Sequence, residues 1–211
     1  MAYVNHFNME GNDKPRIYPL ENKPIDVHTH EIIIYGFLDA AELIVTNCES
    51  KKKFINLDRL LFPLLFIYLS LIEFCLKIIL NKLYEHKQKG CSYIVLEVKK
   101  YKTNHNINEL AKDLKDTLDT INRDAIGHNF KNIDLVIHLA NKFHEYHVTS
   151  MSLRYLIDRK GDELTNLHKK GLCCDYKSLH EDVKIFAKNT LNFINSYDLI
   201  FCEQKEYTPI R

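Results

Sequence analysis

Three groups of residues in this 211-residue chain combine types and spacings that could do chemistry. The first is Asp26-Val27-His28-Thr29-His30. Two histidines two apart at a strand end would point to the same side and could chelate one metal. Further ligands would have to come from a barrel, and barrels run to about 250 residues with alternating strands and helices. The chain is shorter and reads mostly as helix, so His28 and His30 are expected to be polar residues leading into a helix, with no metal and no other cofactor. The second group is Arg123-Asp-Ala-Ile-Gly-His128. His128 could act as general base or acid on a 2′-hydroxyl, while Arg123 stabilises charge on the scissile phosphate, as in a metal-independent endoribonuclease. Against this stands a plain helix C-cap at Gly127, and eleven histidines make the spacing easy to meet by chance. The third group is dispersed: Glu73 and Lys77, His105, and Arg154, Tyr155 and Asp158 ahead of Gly161. Glu73 and Lys77 are four apart with the acid first, neighbours on one helical face. A buried Glu73 would need a partner, and arginine is the best bidentate one. Arg154 and His105 could therefore be structural. Alternatively, together with Lys77, they could line a pocket for a phosphate, nucleotide or RNA backbone, with N–H donors added by a helix N-terminus at His105.

The elements that must position these residues are helical. Leu60 to Ile72 is almost unbroken apolar sequence. A transmembrane helix needs about 20 such residues with few charges, and Glu73 and Lys77 interrupt the run. It is expected to be the central helix of a bundle, led into from Leu57 and ending near 84, with Pro63 in its first turn, where a missing N–H is harmless. Helical spacing also predicts helices over about 30–48, from an Asn104 or Asn106 N-cap to Gly127, over 132–146, and over 175–197. Residues 93–98 could be a strand or a strap. Ser152 to Thr165 reads as a small β-hairpin turning at Gly161. Residues 1–24 form a polar, proline-bearing arm, 25–202 one helical domain and 203–211 a polar tail.

The totals narrow the class of protein. With 29 basic and 28 acidic residues the net charge is +1, so no global field draws the chain to nucleic acid, although a local basic patch could. Six cysteines, none in a C-x-x-C pair, suit reduced thiols in the cytoplasm better than a disulfide framework.

Phe62-Pro-Leu-Leu-Phe-Ile-Tyr68 followed by Ile72-Glu-Phe-Cys-Leu-Lys77, then His105-Asn-Ile-Asn-Glu-Leu110, then Ser152-Leu-Arg-Tyr-Leu-Ile-Asp158 with Gly161, together resemble the HEPN superfamily of nucleotide-binding helical bundles. The likeness is to bacterial HEPN-like proteins and covers roughly 35–197. Leu69 and Ser70 stand where those proteins often carry Arg-His, and Leu156 stands where proline is usual. The resemblance implies an all-α, HEPN-like bundle with the hairpin inserted. It also implies membership of a bacterial defence or toxin-type system, dimerisation, and binding of RNA or a nucleotide. Glu73, Lys77, His105, Arg154, Tyr155 and Asp158 match the family's motifs. Arg123 and His128 resemble the Arg-x4–6-His motif of its ribonucleases, without lying at matched positions. The alternative is a catalytically inert module that binds a protein partner, its motif residues holding the fold. No membrane is expected as a partner.

Overall fold

The structure is a computed structural model describing residues 27–50, 54–88, 103–120, 133–145 and 175–202. Among these it contains five helices and no strand: α1 (Val27–Ser50), α2 (Phe54–Gln88), α3 (Ile107–Thr120), α4 (Ile133–Glu145) and α5 (Tyr176–Cys202). The all-α expectation therefore holds for the described residues. The expected hairpin, the 93–98 run, the N-terminal arm and the C-terminal tail lie outside them.

In α1 the buried positions Ile34, Leu38, Ala41, Val45 and Cys48 alternate steps of four and three. That is the period of a stripe facing neighbouring helices. The helix begins early enough to include His28 and His30, as expected of polar residues leading into it. At about 100° per residue the two histidines point to nearly opposite sides, so they cannot share a metal as they would on a strand. His30 instead meets the ring of Phe74 edge-on, with centroids 6.1 Å apart.

Helix α2 is the hub. It packs against α1, α3 and α5; α1 also packs on α5, and α4 sits on α3 and more lightly on α5. The stretch Leu60–Glu85 is long and apolar enough to cross a membrane by length and composition, yet 61% of its most apolar window is buried inside the fold. Tyr68, Leu76, Ile79, Leu80 and Leu83 are fully enclosed. This is the all-round burial expected of a core helix. Pro63 departs from expectation. With α2 starting at Phe54, the proline lies in the helix interior rather than the first turn, where it cannot donate the bond to the carbonyl four residues back. Its exposed side, combined with dense apolar packing just beyond it, lets the helix run through.

Caps set the starts of two helices. Asn106 is the N-cap of α3: its Oδ1 accepts from the N–H of Asn108 at 3.0 Å, and its own N–H is held by Asn104 Oδ1 at 2.9 Å. Glu109 in the first turn accepts from the amides of both asparagines. Asp175 caps α5, its Oδ1 accepting from the N–H groups of Lys177 and Ser178 at 3.2 Å each. Each cap satisfies donors that a helix start otherwise leaves unpaired.

Candidate functional site

Glu73 lies midway along α2, on the side facing the start of α3. The rigid N-cap at Asn106 places His105 immediately before that helix, directly over Glu73. His105 Nδ1 lies 2.8 Å from Glu73 Oε1, and Lys77 Nζ reaches the same oxygen at 2.9 Å from one turn further along α2. Glu73 is only 17% exposed, whereas the His105 side chain is 64% exposed. A carboxylate can only accept, so Nδ1 carries the proton in this contact. In the neutral ring the Nε2 lone pair then lies on the edge away from Glu73. A histidine oriented by a carboxylate and open on its other edge can accept a proton or, once charged, donate to a phosphate oxygen.

Three of the candidate ligand-binding residues, Glu73, Lys77 and His105, are thus brought together. Arg154, Tyr155 and Asp158, together with the candidate catalytic pair Arg123 and His128, lie outside the described residues. Among the described residues no group of three or more His, Cys, Asp or Glu side chains could hold a metal ion.

A second polar cluster was missed by sequence reasoning. The Tyr68 hydroxyl lies 2.8 Å from His180 Nδ1, and His180 Nε2 lies 2.7 Å from Glu42 Oε2. Because Glu42 only accepts, Nε2–H donates to it and Nδ1 accepts from the Tyr68 O–H. The chain runs from a fully buried hydroxyl on α2, through a buried imidazole on α5, to a half-exposed carboxylate on α1 that Lys184 approaches at 3.8 Å. Buried polar groups are costly unless hydrogen-bonded, and here both ring nitrogens are engaged. One signal in the sequence could have found it: His180 occupies an inward-facing position in the run Val183, Ala187, Leu191, Ile194, where apolar residues are otherwise found.

Two turns further along α2, burial pushes the Cys75 thiol up to about 12, opposed only in part by its side-chain hydrogen bond with Thr190. Burial raises Cys48 as well. Both are free thiols, and neither has the thiolate character that nucleophilic or redox chemistry at neutral pH requires.

No family profile, curated protein or solved structure matches this chain.

Proposed function

We propose that this chain is a HEPN-like helical module of a bacterial defence or toxin-type system, acting in the cytoplasm, that binds RNA or a nucleotide at the exposed edge of His105. The observation that carries the reading is the Glu73–His105 pair: one ring nitrogen is hydrogen-bonded to an enclosed carboxylate while most of the ring is exposed. Glu73 fixes the tautomer and orientation, and Lys77 tempers the carboxylate's charge so that a phosphate can approach. Metal-independent cleavage of RNA is the chemistry such a histidine would perform, taking a proton from a 2′-hydroxyl and returning one to the leaving oxygen.

The test is RNA binding and cleavage in EDTA by purified protein, alongside Glu73→Gln, His105→Ala, Arg123→Ala, His128→Ala and Arg154→Ala, each checked for folding. His105→Ala is expected to weaken binding at least about tenfold, and to lower any cleavage by about 10²-fold. Loss of cleavage confined to Arg123→Ala or His128→Ala would place the chemistry at that pair instead. Failure of every folded preparation to bind or cut RNA or nucleotide would sink the proposal.

One observation favours the inert-module reading. Glu73 holds Lys77 from its own helix and His105 from the start of α3 on a single oxygen, which is also what a structural tie between α2 and the start of α3 would do. In that case His105→Ala lowers stability and leaves ligand binding unchanged.

A further inference from the structure

We infer that Glu109 is a positioning residue for His105: through Asn104 and Asn106 it fixes the backbone on both sides of that histidine, so that Nδ1 stays on Glu73 and Nε2 faces outward. The inference rests on the reading that His105 is the group that meets RNA or a nucleotide.

The His105 ring needs such support. Its side chain is 64% exposed, and the contact that orients it is the 2.8 Å approach of Nδ1 to Glu73 Oε1. A pair that open to solvent contributes little energy by itself, because water competes for both partners. The direction of the ring is therefore set from its backbone as well as from Glu73.

That backbone is bound more tightly than a helix start requires. Asn106 Oδ1 accepts from the N–H of Asn108 and is a sufficient N-cap for α3. In the usual capping box, the acid at the third helical position reaches back to the N–H of the N-cap residue. Glu109 holds the third position, yet the N–H of Asn106 is taken by Asn104 Oδ1 at 2.9 Å. This contact closes an Asx turn with His105 at its centre. Glu109 instead accepts one side-chain amide on each oxygen, from Asn104 Nδ2 on Oε2 at 2.8 Å and from Asn106 Nδ2 on Oε1 at 3.2 Å. The two asparagines that flank His105 are thus joined through a single carboxylate. A plain capping box would start α3 without Asn104; what Asn104 and Glu109 add is a fixed residue 105.

This network lies at the surface. His105, Asn106 and Glu109 are exposed and Asn104 is half-buried, so its hydrogen bonds exchange against water and add little to global stability. Their effect is on geometry. Binding groups work when the residues behind them hold them within about 0.5 Å of the productive position. Glu73 on α2 steadies the ring, and Glu109 on α3 steadies the backbone that carries it. A carboxylate in the first turn also complements the helix macrodipole, so the deciding measurement is one that stability does not move.

That measurement is nitrogen NMR of the His105 ring in the isotope-labelled full chain above about pH 8, where an ordinary imidazole is neutral. The signal is assigned by its loss in His105→Ala. The wild type is expected to carry the ring proton mainly on Nδ1. Glu109→Ala should lower the ratio of Nδ1–H to Nε2–H rings at least about threefold. Glu109→Gln, which keeps one accepting oxygen, should fall between that variant and the wild type. Asn104→Asp keeps an oxygen for the Asn106 N–H but loses the amide that reaches Glu109, and should also lower the ratio. Affinity for single-stranded RNA or ATP, whichever the wild type binds, should fall in the same order, by up to about 10²-fold. A ratio unchanged by both Glu109→Ala and Asn104→Asp overturns the inference, even where His105→Ala abolishes binding. So does a changed ratio with unchanged affinity in a protein whose binding depends on His105. If His105→Ala leaves binding untouched, the functional reading fails, while the ring signal still decides whether Glu109 positions His105.

Discussion

At the scale of single residues, the two histidine–carboxylate pairs differ in what surrounds them. His105 is largely exposed, so water can replace its contacts, and its pairing with Glu73 should matter more for orientation than for stability. His180 is buried, and removing it leaves the fully enclosed Tyr68 hydroxyl without this acceptor. A hydrogen bond of this kind contributes about 0.5–1.5 kcal/mol net. His180→Ala is therefore expected to lose at least that much stability, and Tyr68→Phe, which strips the donor from Nδ1, a similar amount. Glu42→Ala should cost less than about 1 kcal/mol, because its exposed carboxylate is replaced in part by water. Urea unfolding of the three variants checks the order. Equal small losses in all three would mean the Tyr68–His180–Glu42 chain contributes little to holding α1, α2 and α5 together.

At the scale of the helices, apolar spacing made each element legible and burial decided its role. The apolar run in α2 and the asparagines ahead of α3 identified a core helix and a cap in advance, because both depend on local chemistry. The Glu73–His105 contact was foreshadowed only through family-like motifs: nothing local in the sequence brings residues 32 apart onto one oxygen. Two features could not be read this way. His180 was passed over because a lone polar residue in an apolar repeat does not reveal its partners on other helices. Pro63 was assigned to a helix start because prolines favour that place, whereas here packing beyond it extends the helix through an unfavourable residue. A proline inside a helix is about 3 kcal/mol less favourable than alanine. Pro63 is exposed and alanine is the smaller side chain, so Pro63→Ala is expected to stabilise the protein by about 1–3 kcal/mol, measured as a rise in urea midpoint at unchanged slope. Destabilisation would show instead that the neighbouring packing is shaped around the proline.

At the scale of the whole molecule, the arrangement predicts uneven stability. Helix α2 shares an interface with α1, α3 and α5, whereas α4 rests on α3 and only lightly on α5. Removing side-chain volume from α2 therefore weakens several interfaces at once, and removing it from α4 weakens mainly one. Leu76 is fully buried in α2, and Leu76→Ala should cost about 2–5 kcal/mol. Against a typical total of about 5–15 kcal/mol, that is enough to lower the protection of every described helix together. Phe143 is buried on α4, and Phe143→Ala removes a comparable volume. Its effect should concentrate in α4, which can open while the rest of the bundle stays closed. Native-state hydrogen exchange separates the two outcomes. Amides in α2 are expected to exchange only through global unfolding and those in α4 through a smaller opening, with Phe143→Ala speeding α4 far more than α2. Equal acceleration of both helices by Phe143→Ala would mean that α4 is as integral to the core as α2. The lightness of its contact with α5 would then have no energetic consequence.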